Sequence, residues 1–233
     1  MKQFSSKNAK IIQLIGILGL IILPLALHGN RYMPSVLNDE IGYLVNAAYF
    51  GGSNWSGILS GIPYYSYGYS LIISPLYAFL SDGQLIYVIL LLLNGVFGAV
   101  NFVLSCKIAK ALYPDEKEVF LVVACFVSGF SGSAIIFSQF AWAESLLFMW
   151  MTAIVWIIVC ILKKPTYLRC TILAIFTLYI YMIHQRTVAV VIAVSILMIV
   201  LTFNKKINWK HLLIYSLVLL VCLTIHVYFK ENL

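Results

Sequence analysis

Three positions in the sequence carry side chains that could do chemistry, and each lies near the end of an apolar run. Asp39 and Glu40 stand side by side after the first run. Glu144 begins a later run, and His184 and Arg186 occupy a short gap between two more. A carboxylate can take a proton from an acceptor hydroxyl, and an arginine can hold a phosphate through two parallel hydrogen bonds. These residue types suit the transfer of a group from a phosphorylated carrier.

The acidic positions also leave a metal cofactor open, because Asp39 and Glu144 could hold a divalent metal ion that offsets phosphate charge. Each position has an alternative without chemistry. Arg186 could extend its guanidinium to any lipid phosphate, and Glu144 could stabilise a helix N-terminus. Asp39 and Glu40 could begin an amphipathic surface helix that runs to Phe50. A shared site is favoured because three of only eight acidic residues belong to this group.

The composition indicates whether the protein lies in water or in a membrane. Of the 233 residues, 63% are hydrophobic and 10% are charged, and the mean hydropathy is +0.99. A soluble domain has about 25% charged residues, so this chain is expected to be an integral membrane protein. The net charge of +7 comes from basic residues in short gaps between apolar runs, which is typical of membrane topology. No nucleic-acid partner is expected.

Seven apolar runs approach the length of about 20 residues that a transmembrane helix needs. The long stretch from Val119 to Leu162 is divided by Ser138, Gln139 and Glu144. The predicted fold class is therefore all-α, a polytopic membrane bundle of about seven transmembrane helices in a single domain, residues 1–233. The predicted spans are Ile11–Leu27, Leu85–Ser105, Val119–Phe137, Ser145–Leu162, Leu168–Ile183, Thr187–Phe203 and Leu212–Phe229.

The segment Tyr67–Leu80 decides the orientation of every later helix. It is apolar but short, and it contains Pro75. If the segment does not cross, 12 of the 15 basic residues face the cytoplasm, and if it crosses only 5 do. Because cytoplasmic loops carry the excess of Lys and Arg, we expect a helix that lies at the outer membrane surface. The cytoplasmic set is then Lys2, Lys7, Lys10, Lys107, Lys110, Lys117, Lys163, Lys164, Arg169, Lys205, Lys206 and Lys210.

This topology places the candidate chemistry on one side of the membrane. Residues 1–10 form a cytoplasmic tail, residues 28–84 a long first outer loop with surface helices, and residues 85–229 the helix bundle. The N-terminus is cytoplasmic, and the expected location is the cytoplasmic membrane. Asp39, Glu40, Glu144, His184 and Arg186 would then all reach the outer interface, where they could line one cavity.

The order of five short segments carries a family resemblance. An acidic-aromatic motif, Asn38–Tyr43, is followed by a tyrosine-rich segment, Tyr64–Leu71, that leads into Pro75–Tyr77. An acidic residue then begins a predicted span in the segment Ala141–Ser145, and a basic residue follows the next predicted span in the segment His184–Arg186. This order resembles that of the GT-C fold membrane glycosyltransferases. It is most similar to the bacterial branch of lipid-linked aminoarabinose transferases and protein O-mannosyltransferases.

The resemblance implies a role for each candidate residue. Asp39 would be the catalytic base or a metal-side acid with Glu40 beside it, and Glu144 would match the second acidic position. Arg186, with His184, would bind the phosphate of the lipid carrier. The residues implied to contact the acceptor or the carrier are Tyr43, Tyr67 and Tyr69.

The resemblance also implies a function. The chain is expected to be a glycosyltransferase that takes a sugar from a polyprenyl-phosphate carrier, at the outer face of the cytoplasmic membrane, and passes it to a lipid, glycan or protein acceptor. Members of the family are longer, so the chain would correspond to their N-terminal transmembrane module. Two alternatives stay open. One is a non-enzymatic membrane protein, either a flippase for lipid-linked sugars or an assembly subunit, and the other is an inactive fragment of a longer transferase.

Overall fold

The computed structural model describes residues 2–28, 38–53, 57 and 66–231, and these ranges are helical without any strand. Five of the described helices are long and apolar enough to cross a membrane. A sixth crossing arises if two bent consecutive helices are counted as one. Their length and apolarity indicate a multi-pass membrane helix bundle, since a helix satisfies all its backbone hydrogen bonds within lipid.

Ten helices of the described ranges build this bundle, and a short 3₁₀ turn, Gln185–Thr187, joins the eighth helix to the ninth. The helices are α1 (Lys2–His28), α2 (Asn38–Phe50), α3 (Gly68–Phe79), α4 (Gly83–Leu112), α5 (Glu118–Gly129), α6 (Gly132–Ser138), α7 (Glu144–Lys163), α8 (Tyr167–Ile183), α9 (Val188–Phe203) and α10 (Trp209–Glu231).

Each predicted apolar run is helical, with two differences from the expected spans. The third run, Val119–Phe137, is two helices rather than one, because α5 and α6 meet at a bend of 55°. The predicted tail of residues 1–10 is already helical from Lys2, so α1 extends through it. Helix α8 has 17 residues and is shorter than the five long apolar segments, one of which, Gln185–Phe203, includes the 3₁₀ turn before α9. The count of seven crossings stays a prediction.

Helices α2 and α3, which follow α1 and precede α4 in the sequence, pack against each other. The Oγ atom of Ser70 donates a hydrogen bond to the backbone oxygen of Tyr43 at 2.9 Å, and the rings of Tyr43 and Tyr69 meet edge to face at 5.5 Å between centroids. Helix α3 corresponds to the predicted surface helix Tyr67–Leu80. Its 12 residues extend about 18 Å, well below the ~30 Å of a hydrocarbon core.

Side-chain caps fix where two of the longer helices begin. The Oδ1 atom of Asp82 accepts from the backbone N–H groups of Gln84 at 2.9 Å and Leu85 at 3.2 Å, which caps α4. The Oγ1 atom of Thr166 accepts from the N–H of Arg169 and caps α8. These caps satisfy backbone donors that no intrahelical carbonyl can reach.

Three clusters of buried apolar side chains hold the bundle together. The N-terminal cluster joins α1, α4 and α5, and includes Leu20, Phe102 and Val122. The C-terminal cluster joins α7 to α10 through residues such as Leu173 and Met198. The central cluster packs α2 and α3 against α4 and α7, and its buried members are Tyr43, Leu44, Ala47, Tyr69, Ile73, Ile86, Tyr87, Leu90, Leu91, Phe97, Ala141, Ala143, Leu146 and Ile183.

The two ends of the bundle differ in charge. One end, called the basic end, contains the α4–α5, α7–α8 and α9–α10 connections, and Lys110 pairs there with Glu118 at 3.0 Å. The other end, called the site end, contains α2, α3, the loop 139–143 and the turn 184–187. Every basic residue of the connections at the basic end belongs to the set predicted to be cytoplasmic: Lys107, Lys110, Lys117, Lys163, Lys164, Arg169, Lys205, Lys206 and Lys210.

Candidate functional site

The carboxylate of Glu40 is the anchor of the site end. The side chain is fully buried, and its Oε1 atom accepts hydrogen bonds from the hydroxyl of Tyr87 at 2.7 Å and from the backbone N–H of Ala141 at 2.8 Å. These bonds tie α2 to α4 and to the loop 139–143. A buried carboxylate is stable only when such donors replace the water it has lost.

The loop 139–143 is held from a second direction by Asn94 on α4. The Nδ2 atom of Asn94 donates to the backbone oxygen of Phe140 at 2.6 Å, and Asn94 is itself buried. Glu40 therefore binds a backbone N–H of this loop, and Asn94 binds one of its backbone carbonyls. The residue that follows the loop is Glu144, the first of α7. The position of this acid is set by two buried polar side chains from other helices.

The turn after α8 is fixed by the start of α3. The hydroxyl of Tyr179 donates to the backbone oxygen of Gly68 at 2.8 Å, and Ser66 Oγ accepts from the N–H of Gln185 at 3.1 Å. The two backbones touch at Gly68, where a Cβ atom would lie 2.6 Å from the backbone nitrogen of Ile183. Only glycine permits this approach. The α2–α3 pair thus positions the turn that carries His184 and Arg186.

His184 has a structural role within that turn. Its Nδ1 atom accepts from the backbone N–H of Arg186 at 3.3 Å, which caps the 3₁₀ turn. Burial lowers the pKa of His184 below its ordinary value of 6.5, and the nearby positive Arg186 lowers that pKa further, while Asp39 opposes the change. The imidazole is therefore neutral near pH 7, so the positive charge of the turn comes from Arg186.

Glu144, His184 and Arg186 line one cavity of about 670 Å³. The Oε2 atom of Glu144 is buried and accepts no hydrogen bond from any described residue. The Arg186 side chain is exposed, and its guanidinium makes no hydrogen bond or ion pair with the described part of the chain. A carboxylate oxygen and a guanidinium on one cavity wall that have no partner among the described residues can both engage a ligand.

Asp39 and Glu40 point in different directions from the first turn of α2. Successive helical side chains are about 100° apart, and Glu40 turns into the core while Asp39 is exposed. Asp39 lies close enough to influence the charges of both Glu144 and His184. The structure therefore brings Asp39, Glu144, His184 and Arg186 into one region and places Glu40 beneath it.

The three candidate tyrosines are all buried. Tyr43 and Tyr69 belong to the central cluster around Glu40, and burial, with the Glu40 charge second, raises the pKa of Tyr69. The hydroxyl of Tyr69 has no hydrogen-bond partner among the described residues. Tyr67 lies elsewhere. Its hydroxyl is hydrogen bonded to Nδ1 of His226, and its ring packs 5.2 Å from that of Phe229, so Tyr67 fastens α3 to α10 rather than lining the cavity.

The donor set for a metal ion at this end is small. Within the described ranges, no group of three or more His, Cys, Asp or Glu side chains comes together in a way that could hold a metal. Asp39 and Glu144 are the two acids near the cavity, and Nδ1 of His184 is already used by the turn. The divalent metal ion expected from the sequence stays a prediction.

Comparison with family models, with curated proteins and with solved structures returns no match for the chain. The interpretation of the site therefore depends on its geometry.

Sequence reasoning missed the residues that hold the site in place. Ala141 appears in the sequence analysis only as the first residue of the segment Ala141–Ser145. Tyr87 and Asn94 do not appear there, although Asn94 and Asn101 are seven residues apart in an apolar helix and so share one face of α4. Polar amides at that spacing were a usable signal. Ala141 acts only through its backbone N–H, which no side-chain pattern reveals.

Proposed function

We propose that this protein is a glycosyltransferase that uses a polyprenyl-phosphate-linked sugar as donor and works at the site end of the bundle. One observation carries the proposal. Glu144, whose buried Oε2 atom has no described partner, and Arg186, whose exposed guanidinium has none in the described part of the chain, line a single cavity with Asp39 nearby. The family resemblance of the sequence supports the same reading.

The proposed chemistry assigns a separate task to each charge. The guanidinium of Arg186 holds the carrier phosphate by two parallel hydrogen bonds. Asp39 takes the proton from the acceptor hydroxyl as that oxygen forms a bond to the anomeric carbon of the sugar. The bond between the anomeric carbon and the phosphate oxygen breaks, and its electron pair leaves with the polyprenyl phosphate. Glu40 is a positioning residue, since its bonds to Tyr87 and Ala141 fix the helix that carries Asp39.

The proposed location is the outer face of the cytoplasmic membrane, with the N-terminus in the cytoplasm. The concentration of lysines at the basic end supports this orientation, because cytoplasmic loops carry the excess of basic residues. A cysteine placed at Glu118, beside Lys110, tests it. Labelling of Glu118→Cys by a membrane-impermeant reagent in intact cells would contradict the orientation, and labelling only after the cells are opened supports it.

A transfer assay in membranes tests the base. With a labelled polyprenyl-phosphate sugar, Asp39→Asn should reduce turnover by roughly 10²–10⁴-fold, the usual contribution of general-base catalysis. The matched control is Asp115→Asn, since Asp115 is an exposed acid at the basic end. Equal turnover of the Asp39 and Asp115 variants would exclude Asp39 as the base.

A binding assay in detergent tests Arg186. Lysine keeps the positive charge but cannot form the planar pair of hydrogen bonds. Arg186→Lys should therefore weaken polyprenyl-phosphate binding by about 1–3 kcal/mol, the scale of a hydrogen bond to a charged group. Arg169→Lys, at the opposite end of the bundle, is the control and should bind normally. If Arg186→Lys binds like the parent protein, Arg186 is an interfacial anchor and the phosphate site is refuted.

A further inference from the structure

The charge at the basic end is distributed unevenly over its three connections. The α4–α5 connection, residues 107–118, contains three basic and three acidic residues, so its formal charge is zero. The α7–α8 connection, residues 163–169, and the α9–α10 connection, residues 204–210, each contain three basic residues and no acidic one. The excess of Lys and Arg in cytoplasmic loops accounts for the basic residues of all three connections. It does not account for the absence of acids from two of them.

The two uncompensated connections lie side by side. The rings of Tyr167 and His211 are 4.8 Å apart between centroids, and both connections pack on the C-terminal cluster. Arg169 is half-buried and donates through its Nη1 atom to the backbone oxygen of Cys160 at 2.7 Å, so it serves the end of α7. The remaining basic side chains are all exposed and are called the basic patch: Lys163, Lys164, Lys205, Lys206 and Lys210.

Lys205 occupies a backbone position that normally belongs to glycine. Its φ is 56°, and its N–H donates to the backbone oxygen of Thr202 at 3.0 Å, while the N–H of Lys206 donates to that of Leu201 at 2.9 Å. These two bonds close the end of α9 in a Schellman motif, whose left-handed residue is usually glycine because a Cβ atom is strained there. A lysine retained at a strained position indicates that its side chain has a use.

The backbone of the patch also favours an anion. Helix α8 begins at Tyr167 and α10 begins at Trp209, so two helix N-termini lie among the lysines. Each N-terminus carries a partial positive charge and has N–H groups that no intrahelical carbonyl can reach. The side chain of His211, in the first turn of α10, is only 8% exposed, and its buried Nδ1 atom has no partner among the described residues. Side chains and main chain thus present the same sign of charge.

The surroundings of the patch suit a lipid better than a soluble polyanion. Large apolar side chains next to the lysines are exposed: Leu162, Leu168, Phe203, Trp209 and Leu213. Exposed Tyr167 and Trp209 belong to the residue types enriched at membrane–water interfaces. A phospholipid can lay its acyl chains on these apolar side chains while its phosphates reach the lysines. A soluble polyanion has no apolar part to cover them.

We propose that the basic patch binds an anionic phospholipid that carries two phosphates, with its acyl chains against the neighbouring apolar side chains. Two phosphates match the patch because each of the two connections supplies lysines and one helix N-terminus. The binding is non-covalent. It is independent of the proposed sugar transfer, since Asp39, Glu144 and Arg186 lie at the opposite end of the bundle.

A titration of the purified protein in dodecyl maltoside tests the proposal. The additions are cardiolipin, with two phosphates, phosphatidylglycerol, with one, zwitterionic phosphatidylcholine, and sodium pyrophosphate, with binding counted by native mass spectrometry. Cardiolipin should bind at least about tenfold more tightly than phosphatidylcholine, in a salt-dependent manner. Equal binding of these two lipids would overturn the proposal, and so would displacement of cardiolipin by an equal concentration of pyrophosphate. Equal binding of cardiolipin and phosphatidylglycerol would overturn the preference for two phosphates.

Two triple variants distinguish the patch from a general attraction to the basic end. Lys205→Gln/Lys206→Gln/Lys210→Gln should weaken cardiolipin binding at least about tenfold, since each lysine near a lipid surface contributes to the attraction. The matched control is Lys107→Gln/Lys110→Gln/Lys117→Gln, which removes the same charge from the α4–α5 connection and should change binding less than about twofold. Parent-like binding by the first variant, or equal losses in both, would refute the patch.

Lys205→Gly separates binding from folding. Glycine relieves the strained backbone, so this variant should unfold in lipid-free detergent at the same temperature as the parent protein or a higher one. It should nevertheless bind cardiolipin about fivefold more weakly, because one cation is lost. Parent-like affinity would show that the Lys205 side chain does not contact the lipid. A lower unfolding temperature without lipid would show that this lysine serves the fold, and would overturn the argument from its backbone.

Discussion

The bond between Tyr87 and Glu40 predicts a measurable coupling in stability. Tyr87 donates to a fully buried carboxylate that also accepts from Ala141. Tyr87→Phe removes one donor, and Glu40→Gln removes the charge that makes both bonds strong. Because both substitutions act on the same hydrogen bond, the double variant should lose less stability than the sum of the two single variants.

The magnitude follows from the burial of the pair. A hydrogen bond to a charged group contributes about 1.5–3 kcal/mol, against about 0.5–1.5 kcal/mol for one between neutral groups. Neutralising Glu40 weakens two such bonds, so Glu40→Gln should lower the free energy of unfolding by about 2–3 kcal/mol. The coupling to Tyr87→Phe should be about 1–2 kcal/mol, the part that belongs to their shared bond.

Unfolding by titration with a denaturing detergent, in mixed micelles, measures these free energies. Asp39→Asn provides the matched control, since Asp39 is adjacent in sequence but exposed. It should change stability by less than about 0.5 kcal/mol, and its effect should add to that of Tyr87→Phe. A coupling between Glu40 and Tyr87 below about 0.5 kcal/mol, the ordinary scatter of independent sites, would refute the role of Glu40 as an anchor.

Two further predictions concern the contacts around the turn. Gly68→Ala should lower the free energy of unfolding by about 1–3 kcal/mol through overpacking, because the new Cβ would meet the backbone at Ile183. The control is Gly83→Ala, whose new Cβ meets nothing within 4 Å and which should leave the detergent titration unchanged. Equal losses of stability in the two variants would contradict the close contact at Gly68. Because burial and Arg186 lower the pKa of His184 in the folded protein, stability should fall as the pH drops below 6.5, where the unfolded imidazole takes up a proton that the folded one resists. His184→Asn should keep the cap and reduce this pH dependence, and an unchanged dependence would show that another group causes it.

The helices were largely predictable because a long apolar run is a direct signal of a membrane helix. The short helix expected within Tyr67–Leu80 is present as α3, and its position at the membrane surface, which the lysine distribution favours, stays a prediction. The break after Gly129 was missed although glycine and serine surround it, because the mean apolarity of the run stays high across them. Hydropathy measures the environment of a segment and does not report whether its axis is straight.

The site was predictable in its residue types but not in its division of roles. Sequence placed Asp39 and Glu40 side by side, and only the packing of α2 against α4 decides which of them is buried. The cap formed by His184 likewise depends on the backbone of a three-residue turn. Such contacts join residues that are far apart in sequence or involve main-chain atoms, so no local pattern specifies them.

The division of the interior into three clusters has a consequence for how the protein is made. All members of the N-terminal cluster precede Ser131, so α1, α4 and α5 can associate while the later helices are still being synthesised. The C-terminal cluster begins at Leu147 and can assemble independently. The central cluster needs residues from Leu25 to Ile183. The cavity that carries Glu144 and Arg186 is therefore expected to be among the last parts to form during insertion. A chain whose synthesis stops early would have a packed N-terminal cluster but would lack this cavity.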